Sequence, residues 1–168
     1  MEYNELIFNK IITAAKTGSI VDKKIALYSG KSAILARYFE LSNPKFTRSG
    51  ALGEKLCQIA SEEYPELWDK IINEIPDAKA NKTSQWEGKA DPLTGPDPAL
   101  LESALSETLT KEGKTITIYN PRLAALFNYL SHTIPRFSIS KTAAGMLEEI
   151  LAREYPRMWG EIVTLTSR

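Results

Sequence analysis

The segment KFTRSGALGEKL at residues 45–56 recurs in altered form as RFSISKTAAGML at residues 136–147. The likeness extends beyond these twelve residues. A shift of 91 positions places residues 23–72 on residues 114–163 without a gap, and sixteen of the fifty aligned pairs are identical. Average composition would give about three identities by chance. The sequence therefore contains one structural unit that is used twice.

Each copy of the unit predicts a strand followed by helices. The copies open with KKIALYS and KTITIYN, short runs of alternating apolar residues that are typical of a half-buried strand. Three turns of helical pattern follow, and then a loop leads to Ser49 or Ser140, each of which we expect to be the N-cap of a second helix. The second helix extends to about Glu63 or Glu154, and a further short helix begins at the proline of YPELW or YPRMW.

A further helix is predicted before each copy. One covers residues 3–16 and ends near Gly18, and the other covers residues 98–112 and ends at Gly113. In each of these two helices, three apolar positions are expected to face the core of the protein. They are Ile7, Ile11 and Ala15 in the first helix, and Leu101, Leu105 and Leu109 in the second.

The segment between the copies is rich in proline and glycine, which is typical of a linker. We therefore divide the chain into a first half at 1–75, a linker at 76–97 and a second half at 98–168, and we expect the halves to form one pseudo-twofold globule. Trp86 lies within the linker. We expect it to anchor the linker against the protein surface, with contact to a partner as the alternative.

Composition limits the classes of function. Lysine and arginine number 21 and aspartate and glutamate number 21, which argues against attachment to nucleic acid by bulk positive charge. No run of apolar residues approaches the length of about 18 residues that a membrane span requires. The N-terminus lacks the basic region with which a signal peptide begins. Cys57 is the only cysteine, which indicates a reducing compartment, and we expect a cytoplasmic protein that does not bind a membrane.

The sequence offers no candidate for catalysis. His132 is the only histidine and Cys57 the only cysteine, and two such residues far apart in sequence make neither a metal site nor a nucleophile pair. Glutamates such as Glu62, Glu63 and Glu149 lie in helical patterns, where we expect solvated faces rather than acid–base pairs. We predict a protein that is not an enzyme and that has no cofactor and no metal.

The order of strand, helix, loop and helix resembles the ribbon-helix-helix family of DNA-binding proteins, the Arc and MetJ type. The residues that carry the resemblance are KKIALYSGKSAILARYFELSNPKFTRSGALGEKLCQIA and KTITIYNPRLAALFNYLSHTIPRFSISKTAAGMLEEIL, and FTRS before the second helix is especially similar. The resemblance implies a mainly α fold with a short two-stranded antiparallel ribbon. Because both copies lie in one chain, it implies a tandem pseudo-dimer with extra helices.

The resemblance also implies two sets of DNA-binding residues. In the family the ribbon enters the major groove, and the start of the second helix holds the DNA backbone. The positions that would face the bases are Lys24, Ala26, Tyr28, Thr115, Thr117 and Tyr119. The positions that would contact phosphates are Lys45, Arg48, Ser49, Arg136, Ser140 and Lys141.

We therefore expect a double-stranded DNA-binding protein, either a transcriptional regulator or an accessory factor on a plasmid or viral genome. One alternative is a duplicated interaction or structural protein that does not bind DNA, since the net charge is zero and Lys24 is the only basic base-facing residue. A second is an all-helical repeat in which KKIALYS and KTITIYN are not strands. The sequence leaves open whether the chain associates further with itself and whether it binds a protein partner.

Overall fold

A computed structural model of the chain describes residues 3–76, 85, 86, 91, 95–108 and 114–167. Within these ranges the protein is mainly helical, with eight α-helices and a two-stranded sheet. The first half contains α1 (Glu5–Thr17), a 3-10 helix (Ile20–Lys23), β1 (Lys24–Tyr28), α2 (Gly30–Ser42), α3 (Arg48–Glu63) and α4 (Pro65–Glu74). The second half contains α5 (Pro98–Glu107), β2 (Thr115–Tyr119), α6 (Pro121–Thr133), α7 (Ile139–Glu154) and α8 (Pro156–Thr166).

The two predicted strands pair with each other, as expected. β1 and β2 are antiparallel, and Ala26 lies opposite Thr117 at the centre of the ribbon. These two residues are also related by the repeat of 91 positions. The all-helical alternative is therefore wrong. Alternation places four apolar side chains on the buried face of the ribbon: Ile25, Leu27, Ile116 and Ile118.

The repeat in sequence is also a repeat in secondary structure. The shift of 91 positions carries the bounds of β1, α2 and α3 onto those of β2, α6 and α7. Packing crosses between the halves: α1 packs on α6, α5 packs on α2, α3 contacts β2 and α7, and α7 contacts β1. The buried apolar side chains of both halves belong to one hydrophobic cluster.

Two tyrosines fix the helices that precede the copies. The hydroxyl of Tyr129 accepts a hydrogen bond from the backbone N–H of Asn4 at 2.7 Å, and Tyr38 accepts one from Asp97 at 2.8 Å. Asn4 and Asp97 are the N-caps of α1 and α5, and Tyr38 and Tyr129 are equivalent positions of the repeat. The tyrosine of each half therefore positions the first helix of the other half.

The predicted buried face of α1 and the predicted end of α5 were partly wrong. The buried face of α1 consists of Phe8, Ile12 and Ala15, while Ile7 and Ile11 are only half-buried. α5 ends at Glu107, where the backbone N–H of Thr108 bonds to carbonyls of the last turn, although the sequence predicted a helix to residue 112. The expected contact of Leu109 and the expected end at Gly113 lie outside the described residues.

The predicted N-caps of α3 and α7 were also wrong. Thr47 is the N-cap of α3 and Ser138 is the N-cap of α7, so Ser49 and Ser140 lie inside the first helical turn. The hydroxyl of Ser138 accepts from the backbone N–H of Lys141. Each helix starts two residues earlier because the preceding hydroxyl residue has the extended backbone that a cap requires.

Trp86 anchors the linker, as predicted. Its side chain is buried, and the indole Nε1 donates a hydrogen bond to the carbonyl of Ala51 at 2.6 Å. The ring packs against Phe46 and Tyr155, with ring centres 5.1 and 5.3 Å away. Most of the predicted linker at 76–97 lies outside the described residues.

Among the helices of the described ranges, none combines the length and the apolar character that a membrane crossing requires.

Candidate nucleic-acid interface

The outer face of the ribbon carries all six residues that the sequence predicted to face the bases. Tyr28 and Tyr119 are 49% and 55% exposed. The remaining members of this face are exposed or half-buried: Lys24, Ala26, Thr115 and Thr117. The strands thus present hydroxyl, aromatic and ammonium groups on one side and bury their aliphatic side chains on the other.

The two ends of the ribbon differ in chemistry. At one end Lys24 lies opposite Tyr119, and its ammonium group is 6.0 Å from the centre of the tyrosine ring. At the other end Thr115 lies opposite Tyr28. The outer face of the ribbon therefore has a lysine ammonium group beside a tyrosine at one end and a threonine hydroxyl beside a tyrosine at the other.

The start of α3 lies against the edge of β2. The hydroxyl of Ser49 accepts a hydrogen bond from the backbone N–H of Tyr119 at 3.0 Å. A Cβ atom on Gly53, one turn further, would lie 3.3 Å from the Ile118 side chain. This hydrogen bond satisfies a donor on the open edge of the ribbon, and it gives Ser49 a structural role that the sequence did not predict.

Polar contacts also join each ribbon end to the long helix of the other half. Ser29, the N-cap of α2, donates from its hydroxyl to the carboxylate of Glu148 in α7 at 2.8 Å. Asn120, the N-cap of α6, donates to the Cys57 sulfur in α3 at 3.5 Å. The repeat makes Ser29 equivalent to Asn120 and Cys57 equivalent to Glu148. One contact therefore occurs twice with different chemistry.

The predicted phosphate-contacting residues fall into two groups. Lys45, Arg136 and Lys141 are exposed in the loops before α3 and α7 or in the first turn of α7. Arg48 instead forms an ion pair with Glu40 at 3.1 Å, in which both side chains are 23% exposed. Ser140 is half-buried in the first turn of α7. Arg136 has a φ of 62°, in the left-handed region that favours glycine.

Charge is segregated along the chain although the total is zero. Four segments make up the ribbon, the starts of α2 and α6, and the loops that lead into α3 and α7. They are residues 23–31, 43–49, 114–122 and 134–141. These segments contain nine of the 21 basic residues and none of the 21 acidic residues. These four segments are therefore more positive than the chain as a whole, although the carboxylates of Glu40 and Glu148 contact two of them.

Four of these basic residues were missed by the sequence-based site prediction: Lys23, Lys31, Lys114 and Arg122. A signal was available, because Lys23 is equivalent to Lys114 and Lys31 to Arg122 in the repeat. Arg122 is partly committed to the fold, since its Nε donates to the carbonyl of Ile75 at 2.7 Å. The side chain of Lys114 lies over Gly30, where an added Cβ would be 3.6 Å away.

Comparisons of the chain with protein-family models, curated proteins and solved structures gave no match. The resemblance to the ribbon-helix-helix family thus depends on the residues and elements of this chain alone, and it stays a prediction.

Proposed function

We propose that the chain is a tandem ribbon-helix-helix protein of the cytoplasm that binds double-stranded DNA. It would act as a transcriptional regulator or as an accessory factor on a plasmid or viral genome. Residues 1–75 and 98–168 would be the two halves of a single-chain pseudo-dimer, and residues 76–97 would join them. The ribbon would enter the major groove, and the starts of α3 and α7 would hold the phosphates on each side.

One observation carries this proposal: an exposed two-stranded ribbon whose surrounding segments contain basic residues and no acidic ones. A two-stranded ribbon has the dimensions that the major groove of B-DNA admits. Threonine hydroxyls and lysine ammonium groups can hydrogen-bond to base edges, and the flanking cations can contact phosphates. The crossed packing of the halves and the symmetric register of the strands support the pseudo-dimer.

The first experiment measures binding to DNA as a function of salt. Duplexes selected from a random pool would be titrated with the full chain at 50 to 200 mM KCl. A contact set of this size predicts a log–log slope on the order of −4 to −6. A response that is flat in salt, or no selection of any duplex, contradicts the proposal.

A matched pair of variants locates the binding surface. Thr117→Glu places a carboxylate at the centre of the ribbon face, and Thr164→Glu places one on an exposed site of α8. We expect Thr117→Glu to weaken binding at least tenfold, because the new charge repels the phosphates and the base acceptors. Thr164→Glu should change binding less than twofold. Equal effects would mean that the ribbon is not the contact surface.

A third comparison separates reading of sequence from general affinity. Lys24→Ala and Tyr28→Ala remove two side chains from the base-facing set, and we expect both to lower discrimination between selected and random duplexes more than they lower affinity. Equal weakening on every duplex would exclude the ribbon as the sequence reader.

An interaction protein that has lost DNA binding is the second candidate. The ion pair between Arg48 and Glu40 favours it, because it neutralises one predicted phosphate contact. The selection of duplexes distinguishes the two candidates, since the interaction protein predicts that no duplex is selected.

A further inference from the structure

The described linker residues Gln85, Trp86 and Asp91 all contact one surface of the protein. Trp86 packs against Phe46 and Tyr155, and the ammonium group of Lys55 lies 5.1 Å from the centre of the indole ring. Asp91, five residues later, accepts hydrogen bonds from the backbone N–H groups of Arg157 and Met158, both at 3.0 Å. We call this surface the covered groove.

Gln85 adds further contacts there. The side-chain oxygen of Gln85 accepts a hydrogen bond from the backbone N–H of Thr47 at 2.6 Å. The backbone N–H of Gln85 donates one to the carboxylate of Glu54 at 2.9 Å. The indole of Trp86, the amide of Gln85 and the carboxylate of Asp91 therefore all bind at the covered groove.

The equivalent surface in the repeat has no linker over it in the described residues. Tyr155 and Phe46 of the covered groove are each only 4% exposed, whereas their equivalents Tyr64 and Phe137 are only partly buried. An added Cβ at Gly145, the equivalent of Glu54, would meet nothing within 4 Å. We call this second surface, formed by Glu63, Tyr64, Phe137, Met146 and Glu149, the open groove.

A cavity of about 280 Å³ adjoins the open groove at the start of α4. Its lining includes Tyr64, Glu66 and Leu67, and also Tyr3 with the ammonium group of Lys70 over its ring. Glu66 and Leu67 are the equivalents of Arg157 and Met158, the residues whose N–H groups Asp91 caps on the covered side. The cavity therefore lies at the place where Asp91 binds in the other half.

The charges of the two grooves differ in one respect that indicates the ligand. In the covered groove, Lys55 and Gln58 both donate hydrogen bonds to Glu154. In the open groove the equivalent of Lys55 is Met146, and the equivalents of Glu154 and Gln58 are Glu63 and Glu149. Burial and a hydrogen bond with the acidic Glu149 raise the pKa of Glu63. Glu63 and Glu149, both exposed, thus occupy the positions at which Glu154 and Gln58 hydrogen-bond in the covered groove, while Met146 stands at the position of the Lys55 cation.

We propose that the open groove binds a segment of a partner protein in which a large aromatic side chain stands next to a lysine or arginine. The aromatic ring would cover Tyr64 and Phe137 as Trp86 covers Tyr155 and Phe46. The cation would supply the charge that Lys55 supplies on the covered side, between Glu63 and Glu149. This interaction does not depend on DNA binding.

The probe for this proposal is a peptide made from the linker itself. Residues 83–90 with Glu87→Lys have the sequence TSQWKGKA, with a tryptophan beside a lysine, and the ends would be acetylated and amidated. The peptide would be titrated into the full chain without DNA, with NMR shifts of the tyrosine rings and tryptophan fluorescence as signals. We expect saturable binding, and at least tenfold weaker binding when the tryptophan of the peptide is alanine or the new lysine is glutamate.

Matched variants of the chain complete the test. Glu149→Lys reverses a charge in the open groove, and Gln58→Lys makes the same residue at the equivalent exposed position of the covered groove. We expect Glu149→Lys to weaken peptide binding at least tenfold and Gln58→Lys to change it less than twofold. Absence of saturable binding, or equal loss in both variants, would overturn the proposal.

Discussion

The hydroxyl of Tyr129, in α6, holds the backbone N–H of Asn4, 125 residues away, at a distance of 2.7 Å. Tyr38 does the same for Asp97 at 2.8 Å. Asn4 and Asp97 are 93 positions apart, whereas the tyrosines are 91 apart. The repeated unit therefore includes the helices α1 and α5. The segment from the N-cap of this helix to the start of the strand is two residues longer in the first half than in the second.

Tyr129→Phe removes this hydrogen bond and leaves the ring in place. We expect a loss of about 1 kcal/mol in the free energy of unfolding, because the hydrogen bond that holds the start of α1 on α6 is lost. Tyr38→Phe should cost a similar amount. Urea unfolding measures both values, and Tyr28→Phe on the exposed ribbon face is the control that should leave stability unchanged.

Trp86→Ala should destabilise the protein by about 3 kcal/mol, since it removes a buried indole and exposes Phe46 and Tyr155. Trp86→Phe keeps part of the ring contact but loses the hydrogen bond to Ala51, so a loss of about 1 to 2 kcal/mol is expected. Thermal unfolding ranks the two variants. Equal stability of the alanine variant and the parent chain would show that the linker contributes nothing to the fold.

Glu154→Gln tests the ion pair with Lys55. Burial opposes ionisation of Glu154, but hydrogen bonds from Lys55 and Gln58 outweigh it and lower the pKa of the carboxyl group. A lowered pKa in the folded state stabilises the protein above the ordinary value of 4.5, and this stabilisation is lost as the pH falls through the lowered pKa. At pH 7 we expect the variant to lose about 1 kcal/mol, because the pair is partly open to water.

The pH dependence supplies the check. Urea unfolding at a series of pH values should show the difference between the parent chain and Glu154→Gln shrinking below pH 4.5. In a Lys55→Met background, which copies Met146, the second substitution should cost little. A difference that is constant with pH would show that the charge of Glu154 does not contribute.

Arg136→Gly separates charge from backbone strain at a predicted phosphate contact. Glycine adopts the positive φ of this position without cost, so we expect unchanged or higher stability, by up to about 1 kcal/mol. DNA affinity should fall, and the log–log salt slope should become shallower by about one unit. Lys45→Ala, at the equivalent position, should change the slope by a similar amount. A slope that is the same in both variants as in the parent chain would remove these residues from the interface.

Much of the fold could be predicted because its signals are local and occur twice. Alternation over five residues indicated the strands, and the buried positions Leu35 and Tyr38 recur at Leu126 and Tyr129 with helical spacing. The N-caps could not be predicted, because TRS and SIS each offer two hydroxyl residues two positions apart. The choice depends on the backbone of the loop and, for Ser49, on a hydrogen bond to a strand 70 residues away.

The predicted face of the ribbon followed directly from alternation, whereas its surroundings did not. Pattern alone gives no sign that Arg48 is held by Glu40, eight positions earlier, or that Ser29 bonds to Glu148, 119 positions later. The outcome for Trp86 was predictable as burial of a large aromatic residue, but the identity of its neighbours was not, because they come from both halves.

Arg153 and Glu62 form an ion pair at 3.0 Å, and the repeat of 91 positions makes them the same site in the two copies. Two identical subunits would place like charges there, arginine against arginine or glutamate against glutamate, so no homodimer of a single copy could make this contact. Because both copies lie in one chain, the two sides of this contact can carry different residues. In a half-length chain that pairs with itself, a neutral residue at this half-exposed position would remove the repulsion between like charges.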